Sequence, residues 1–544
     1  MGNKLNIKTQ EWKKYFPYNK PRDIQEEVIN KVLEDFKNGK KYAVIECGTG
    51  VGKSAIGFTI GKYLTNKSEI ESDKIQGTYF LTTQKILQEQ YNSDFGKLGL
   101  NSLYSSSNYI CDVDKKATCK DIQTALKSGS LSKKYDCCGY KCKYKTKKKE
   151  FIENNLGITN FSYFLTEKNY SQKLPNKKVM IIDEAHNLES ELTRFIEISV
   201  SEYFSDKILK ISIPKELNTQ HKVFLWIKNT YLQKVNSKLE NIQLRLSRMG
   251  ITSQKLEEFK KITNHIEMLS SHAKKISDFI KLYDKDNWVF DIEKSEKYRK
   301  FIFKPIDISA YAREYILQYA DYIIFMSATI VSHEGFCISL GLPFEKTSII
   351  KKGSPFDSKN KPVIFCPAGS MSYRNIDKTL PNLSNMIKAI LENHKNQKGI
   401  IHTHSNKIAK HIMSSVKNKR LILATGETRE SALQKHLNSS KPTVLLSPSM
   451  AEGVDLKGKL SEFQILCKIP YPYLGDKVTK KKMNKWKWWY DTQTARTIIQ
   501  SLGRSIRNEN DTAVTYILDE DWNIIKRKSK DYFPEDFFDN YHEY

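Results

Sequence analysis

The sequence predicts an α/β protein with two parallel-sheet domains and two insertions. Short apolar runs recur along its 544 residues and alternate with stretches of helical spacing, a pattern typical of buried parallel strands joined by helices. A glycine-rich loop follows the first apolar run and opens a helix, as in a phosphate-binding loop. At roughly 100–200 residues per domain, the chain is long enough for about three or four domains.

The first parallel-sheet domain is predicted from four apolar runs, which two long intervals interrupt. The runs are residues 41–46, 77–83, 178–183 and 321–329. The interval before the last run has about 140 residues, whereas a strand–helix–strand step needs only about 30. We therefore predict the first domain over residues 1–104, 151–198 and 306–350, with a cysteine-rich insertion at 105–150 and a helical insertion at 199–305.

The second parallel-sheet domain is predicted over residues 351–544. Further apolar runs alternate with helical segments there, at residues 399–405, 420–425, 443–448, 463–470 and 513–519. The domain begins near the segment Ser354-Pro355-Phe356-Asp357. Both halves of the chain therefore show the same α/β pattern.

Charge and cysteine usage limit the class of protein. Lysine and arginine number 89 against 62 acidic residues, a formal net charge of +27. This excess favours an extended anionic partner such as nucleic acid; a lysine-rich composition with solvated side chains is the alternative.

The sequence has no apolar stretch of about 20 residues and no signal core, so we expect a reducing compartment: cytoplasm, nucleus, or a viral factory or virion. Structural disulfides among the nine cysteines are not expected there.

The loop after the first predicted strand has the residues that a nucleotide phosphate site requires. It reads Cys47, Gly48, Thr49, Gly50, Val51, Gly52, Lys53, Ser54, and Cys47 stands where the usual pattern has glycine. Gly50 and Gly52 permit the chain to wrap around the phosphates with its N–H groups inward. Lys53 supplies a cation to the β- and γ-phosphates, and Ser54 can ligate Mg²⁺. Because the first position mainly needs a small side chain, the sequence predicts a working site.

Two later motifs supply the remaining groups for phosphoryl transfer. Asp183 and Glu184 end an apolar run; we predict that Asp183 holds Mg²⁺ and that Glu184 orients or deprotonates the attacking water. Gln500, Arg504 and Arg507 lie in the second domain, and the arginines share a face if the segment is helical. If the arginines reach the γ-phosphate, ATP closes a cleft between the domains and hydrolysis opens it. A surface helix with two solvated arginines is the alternative.

The order of the motifs resembles that of superfamily 2 helicases of the XPD/DinG type. The resemblance is carried by ECGTGVGKS, TTQKILQEQ, DEAH, MSAT, the Ser-Pro-Phe-Asp linker, SPSMAEGVDL and QSLGRSIRNENDTA, from about Phe16 to about Asp519. It implies two RecA-like domains with an inserted Fe–S cluster domain and an inserted helical arch. It also implies a monomeric motor that moves 5′ to 3′ on single-stranded DNA and unwinds duplex junctions with Mg²⁺-ATP. By the same resemblance, Gln25 would contact the adenine and Asp455 the γ-phosphate.

The resemblance further implies a [4Fe–4S] cluster held by four cysteines. The corresponding interval holds five: Cys111, Cys119, Cys137, Cys138 and Cys142. "SNYIC" resembles the segment of the first ligand and "CKYKTKK" that of the last, so Cys111, Cys119 and Cys142 are assigned. Cys138 is preferred as the fourth, with Cys137 as the alternative. Four thiolates also suit zinc, although the C-x₂-C spacing of a zinc knuckle is missing.

Two basic stretches carry interleaved aromatic residues that could stack on unpaired bases. Residues 111–150 contain twelve lysines against five acids, and residues 480–493 read KKKMNKWKWWYDTQ. Their aromatic residues include Tyr135, Tyr140, Tyr144, Trp486, Trp488 and Trp489. Solvated loops and helix packing are the alternatives for these residues.

Two other functions stay open from the sequence. One is an RNA helicase or RNA–protein remodeller, against which the cysteine interval favours the DNA-type family. The other is a non-catalytic nucleic-acid-binding repair scaffold with a decayed motor. Against the scaffold, every residue that the chemistry needs is present, and only Cys47 departs from the phosphate-loop pattern.

Overall fold

The computed structural model divides the chain into two compact units. It describes residues 10–71, 73, 75–112, 115, 117–120, 122, 142–171, 174–248, 256–449, 456, 458–506 and 508–544. Unit 1 comprises the described parts of Met1–Val44, Ser54–Met326 and Cys337–Ser348. Unit 2 comprises those of Ile45–Lys53, Ser327–Phe336 and Ile349–Tyr544.

The first sheet has seven strands. Two segments of unit 2, Ile45–Lys53 and Ser327–Phe336, begin within strands of this sheet. Its strands are β1 (Tyr42–Cys47), β2 (Thr78–Thr82), β3 (Asn101–Leu103), β4 (Leu156–Asn160), β5 (Lys177–Asp183), β9 (Ala320–Ser327) and β10 (Thr347–Lys352), in the order β10-β1-β9-β5-β2-β4-β3. Every residue of β1 and β2 is buried, as expected for parallel strands covered on both faces. Each Ile or Leu buried in this way contributes about 1.5–3 kcal/mol.

The second sheet also has seven strands, and all its neighbouring pairs are parallel. They are β11 (Val363–Gly369), β12 (Gly399–His402), β13 (Leu421–Leu423), β14 (Val444–Ser447), β15 (Phe463–Leu466), β16 (Val514–Asp519) and β17 (Tyr541–Glu543), in the order β13-β14-β12-β15-β16-β11-β17. Two parallel seven-stranded sheets confirm the predicted α/β class, and every apolar run predicted as a strand contains one.

The sequence predicted a helical insertion at residues 199–305, but the structure shows that this region is not purely helical. They hold an antiparallel sheet in the order β6-β8-β7, from β6 (Ile198–Ser201), β7 (Trp288–Lys294) and β8 (Arg299–Pro305). In the β7–β8 hairpin, β7 buries Trp288 and Val289 at its start, and β8 buries Phe301, Ile302 and Phe303 in its centre. The charged helical pattern between β6 and β7 is present in three helices, Gln220–Trp226, Leu232–Ser247 and Leu256–Leu282.

The helices follow the predicted apolar spacing and connect the strands. In chain order they are α1 (Asp23–Lys37), α2 (Lys53–Ile70), α3 (Lys85–Phe95), α4 (Lys143–Glu153), α5 (Phe161–Thr166), α6 (Leu188–Ile196), α7 (Glu202–Phe204), α8 (Gln220–Trp226), α9 (Leu232–Ser247), α10 (Leu256–Leu282), α11 (Ser309–Ala312), α12 (His333–Leu340), α13 (Ile376–Asn393), α14 (Asn406–Val416), α15 (Arg429–Asn438), α16 (Lys477–Lys485), α17 (Lys487–Leu502) and α18 (Trp522–Ser529). None of the described helices is both long enough and apolar enough to cross a bilayer.

Candidate active site

The predicted phosphate loop joins the end of β1 to the start of α2. Gly50 and Gly52 have φ angles of 88° and 83°, in the left-handed region that glycine adopts without steric cost. The loop therefore leads directly into the first turn of α2, where free N–H groups and the helix dipole favour an anion. Lys53 Nζ donates a hydrogen bond to the Cys47 carbonyl at 3.1 Å.

Cys47 is compatible with this loop because its side chain points into the protein interior. It is completely buried, and burial raises the pKa of its thiol to about 11, so the group stays neutral. A neutral, buried thiol places no charge at the phosphate site. The departure from glycine at this position therefore does not disrupt the loop.

The segment that begins the second predicted domain packs against the loop within unit 2. Ser354 Oγ donates to the Thr49 carbonyl at 3.1 Å, and the Gly48 N–H donates to the Lys352 carbonyl at 3.0 Å. The ring of Phe356 lies so close to Gly50 that an added Cβ there would collide with it. Gly50 is therefore required both for its backbone conformation and for this close approach.

In unit 1, one tyrosine hydroxyl joins the two residues predicted to bind Mg²⁺. Tyr91 donates to Asp183 Oδ2 at 2.9 Å and also forms a hydrogen bond with the Ser54 side chain. Burial, followed by the nearby Asp183 carboxylate, raises the pKa of Tyr91 well above its ordinary value, so the phenol keeps its proton. Asp183 is 7% exposed and its Oδ1 accepts the Glu184 N–H at 2.9 Å. The arrangement is a buried carboxylate beside a serine hydroxyl, which are oxygen ligands suited to Mg²⁺.

Glu184 occupies a left-handed backbone conformation directly after β5. Its φ angle is 51°, which is uncommon for a residue other than glycine and is found at functional sites. The carboxylate Oε2 lies 3.3 Å from His186 Nδ1. β5 pairs in parallel with β9, with Asp183 opposite Met326, so Glu184 leaves the sheet at its carboxyl edge, where α/β proteins bind ligands.

The second-domain residues differ from the prediction in one respect. α17 ends at Leu502 and Gly503 follows as its C-cap, so Arg504 lies beyond the helix and is not part of a helical face. Arg504 Nε donates to the Gln500 carbonyl at 3.0 Å. Gln500 Nε2 approaches Thr329 Oγ1 at 3.4 Å. Arg507 and Asp455 lie outside the described residues.

Gln25, the predicted adenine contact, lies in the first turn of α1. Its Oε1 accepts the Arg22 N–H at 2.9 Å, which caps the start of the helix. The side chain is buried. This amide oxygen therefore already has a structural partner.

Three of the predicted cluster cysteines lie together within unit 1. Cys111 and Cys119 flank a short antiparallel bridge between Ile110 and Thr118, and Cys142 is the residue before α4. All three are buried, and a hydrogen bond of 2.8 Å joins the Cys119 and Cys142 sulfurs. Burial first, and then this hydrogen bond, raises the pKa of the Cys119 thiol.

The surroundings of these thiols include one backbone hydrogen-bond donor. The Tyr144 backbone N–H, at the start of α4, forms a hydrogen bond with Cys119, and such bonds stabilise thiolate ligands. The fourth predicted ligand, Cys138 or Cys137, lies outside the described residues. Among the residues that are described, no group of three or more His, Cys, Asp or Glu is arranged to hold a metal ion.

The three tryptophans of the second basic stretch have different environments. Trp489 is buried under the Lys482 ammonium, and Trp488 packs against Gly335. Trp486 is half-buried, with Lys485 Nζ 4.8 Å from its ring centre. Trp488 is also half-buried, and its ring centre lies 5.9 Å from that of Trp486.

Two residues of this region, Tyr91 and Glu46, were not among the site residues predicted from the sequence. Tyr91 follows the predicted strand at 77–83 on a helical segment, and only the sheet order brings it to Asp183. Glu46 is an acid inside a completely buried strand, directly before Cys47. That acid was the signal that could have revealed it, because buried carboxylates need specific partners.

Comparisons with known proteins agree with this geometry. A family model described as "Helicase C-terminal domain" matches residues 387–537, and one described as "Type III restriction enzyme, res subunit" matches residues 19–212. A probable ATP-dependent helicase of Methanocaldococcus jannaschii is 23% identical over 96% of each chain. The ATP-dependent DNA helicase DinG of Photobacterium profundum is 29% identical over 36% of this chain and 30% of its own.

A solved structure of an XPD helicase has the same fold. Its TM-score is 0.63 at 18% identity, over 94% of this chain and 98% of the other. The two parallel sheets, the phosphate loop and the helicase family matches together define the chain as a helicase. The matched family models, the helicase relatives and this fold together support a helicase of the XPD/DinG type of superfamily 2, in agreement with the resemblance stated from the sequence.

Proposed function

We propose that this helicase hydrolyses Mg²⁺-ATP to move 5′ to 3′ along single-stranded DNA and to unwind duplex DNA. The observation that carries the proposal is the phosphate loop at Cys47–Ser54, with two glycines in left-handed conformations at the start of α2. The relative named DinG is a DNA helicase, which supports DNA as the substrate. The direction follows from the resemblance to the XPD/DinG type.

Each residue of the proposed site has one role in ATP hydrolysis. The N–H groups of Gly50 to Lys53 bind the phosphates, and the Lys53 ammonium turns from the Cys47 carbonyl to the β- and γ-phosphates. Ser54 and Asp183 would hold Mg²⁺, which would supply positive charge for the developing phosphate charge. Glu184 orients and deprotonates the attacking water, and His186 positions its carboxylate. Gln500, Arg504 and Arg507 add polar and positive groups for the γ-phosphate.

We propose that Cys111, Cys119, Cys138 and Cys142 hold a [4Fe–4S] cluster, with Cys137 as the alternative to Cys138. Three buried thiols and a helix N–H directed at one of them support the proposal. Bound there, the cluster would supply a rigid link between these four cysteines. Cys142 ties that link to α4, whose Tyr144 hydroxyl meets the Tyr163 hydroxyl at 2.7 Å.

Replacing Tyr91 with Phe should weaken Mg²⁺ binding about tenfold, because residues that orient metal ligands typically contribute 10–100-fold to affinity. The ring would keep its contacts with Phe80 and Phe95, so the fold should be retained. The measurement is ATP hydrolysis as a function of Mg²⁺ concentration. Tyr79→Phe is the control, since it removes a hydroxyl that donates to the Pro175 carbonyl instead of to a proposed metal ligand. An unchanged Mg²⁺ dependence of Tyr91→Phe would contradict the assignment.

The exposed face of α16 is proposed to contact the DNA backbone. Lys480 and Lys481 are exposed there, near the half-buried Trp486. Reversing both charges with Lys480→Glu and Lys481→Glu should weaken single-strand binding and reduce the salt slope of log K by about 0.7 for each phosphate that is no longer neutralised. Fluorescence titrations at several salt concentrations measure this slope. Lys395→Glu, an exposed lysine outside α16, should leave the slope near that of the wild type; equal effects would remove the surface from the proposal.

The experiment that tests the proposed function is ATP hydrolysis with and without single-stranded nucleic acid. Single-stranded DNA should increase the rate several-fold, and RNA of the same sequence should do so less. Greater stimulation by RNA would instead support an RNA helicase, and hydrolysis that neither polymer changes would contradict a translocating motor.

A further inference from the structure

A strained residue follows the Ser-Ala-Thr motif at the end of β9. Val331 has a φ angle of 72°, in the left-handed region, although its side chain is β-branched. This combination is a genuine outlier and persists only where the surroundings hold it. Val331 is 5% exposed and packs with Ala495 and Ile498 of α17.

Glu46 supplies the group that holds this conformation. Its Oε1 accepts the Val331 N–H at 2.8 Å, and the backbone of Ile330 also forms a hydrogen bond with the carboxylate. Two successive N–H groups that converge on one anion form a nest, and a nest requires one residue in the left-handed conformation. The second carboxylate oxygen, Oε2, lies 3.2 Å from His333 Nε2. The carboxylate and the strained valine therefore stabilise each other.

The residues Thr329 and Ile330, which precede Val331, contact α17. Arg496 Nη2 donates to the Ile330 carbonyl at 3.1 Å, and Gln500 Nε2 approaches Thr329 Oγ1. α17 ends two residues before Arg504. On the opposite side, Glu46 is separated from Gly48 by Cys47 alone. The loop Ser327–Val331 thus lies between Glu46, at the entry to the phosphate loop, and the helix that leads to Arg504, and these parts belong to unit 2.

We propose that Glu46 is a positioning residue that makes the conformation of Ser327–Val331 depend on nucleotide binding at the phosphate loop. This inference rests on the proposed ATP-dependent function. A shift of the phosphate loop moves the Glu46 carboxylate, because Glu46 directly precedes the loop at Cys47–Ser54. Loss of its two backbone hydrogen bonds frees Val331 to relax to an ordinary conformation, and the change reaches Thr329 and α17 through their existing contacts. Glu46 acts through other residues and does not contact the reacting atoms.

The test uses the full-length protein and three variants, Glu46→Ala, Glu46→Gln and Glu46→Ala with Val331→Gly. Hydrogen–deuterium exchange of residues 327–336 is measured with and without Mg²⁺ and a non-hydrolysable ATP analogue. In the nucleotide-free protein, Glu46→Ala should exchange about tenfold faster than the wild type, because its N–H acceptor is gone. Glu46→Gln keeps an amide oxygen as acceptor and should stay within about threefold. In the wild type the analogue should change the exchange; in Glu46→Ala it should not, although the analogue still binds.

The second readout is the number of base pairs unwound per ATP. Glu46→Ala should lower this ratio about tenfold, the size expected when a left-handed β-branched residue relaxes. Adding Val331→Gly should not restore it, since glycine adopts the left-handed conformation without Glu46 and so leaves the loop insensitive to the nucleotide. Equal exchange in Glu46→Ala and the wild type would overturn the inference, and so would a ratio restored by Val331→Gly, because Glu46 would then be only a static support. A wild type that binds no nucleotide would overturn both this inference and the proposed function, whereas intact unwinding in Glu46→Ala would overturn the inference alone.

Discussion

Replacing Lys53 with alanine is expected to lower the rate of ATP hydrolysis by about 100- to 1,000-fold, the usual cost of removing one preorganised charge-stabilising group. The ammonium lies within the loop, 3.1 Å from the Cys47 carbonyl, and it is the cation placed at the start of α2. Because positive charge at the β- and γ-phosphates stabilises the transition state, its loss should lower kcat. The measurement is steady-state phosphate release at saturating single-stranded DNA.

Two further variants make the Lys53→Ala result specific. Glu184→Gln removes the base but keeps the side-chain size, so it should also abolish turnover while ATP still binds. Lys62→Ala lies on the same helix, where the ammonium donates to the Leu98 carbonyl, and should leave hydrolysis close to the wild-type rate. Turnover that survives both Lys53→Ala and Glu184→Gln would show that the nucleotide site is assigned to the wrong residues.

Replacing Cys142 with serine is expected to remove bound iron and to lower DNA unwinding by about tenfold or more. A serine hydroxyl does not ionise near neutral pH, so it cannot replace a thiolate ligand. ATP hydrolysis should fall less than unwinding, because Ser54, Tyr91 and Asp183 are separate from the cysteine segment in sequence. Iron, sulfide and zinc per chain are measured on protein purified without oxygen, together with both activities.

Cys366→Ser is the matched control for the cluster. Cys366 is half-buried in β11 and is not among the proposed ligands, so iron content and unwinding should be retained. Equal loss of hydrolysis and unwinding in Cys142→Ser would indicate general misfolding. A wild-type protein that contains zinc and no iron would contradict the Fe–S proposal and support the zinc alternative.

Strands buried on both faces were the easiest part of the fold to predict. β1, β2, β5 and β9 each contain a run of apolar residues, and all four strands were predicted from the sequence. β4 was missed because its sequence LGITN contains polar residues; Thr159 satisfies its hydroxyl by donating to the Leu103 carbonyl. β10 was missed because TSIIKK alternates only weakly, as expected at the edge of a sheet.

The candidate site was predictable where the motif is local. The loop from Cys47 to Ser54 is continuous in sequence, and its glycines have the backbone conformations that the pattern requires. The contact of Tyr91 with Asp183 and that of Glu46 with Val331 were not predictable, since they depend on sheet order and on a strained backbone. The helical placement of Arg504 was wrong because Gly503 ends α17, a local signal that the spacing argument did not use.

The most direct test of the central claim is the unwinding of short DNA duplexes that carry a single-stranded tail on either the 5′ or the 3′ side. The account predicts ATP-dependent separation of the 5′-tailed duplex, little separation of the 3′-tailed duplex, and none of either with Lys53→Ala. A wild-type protein that hydrolyses ATP but separates neither duplex, or that separates them equally well without ATP, would contradict it.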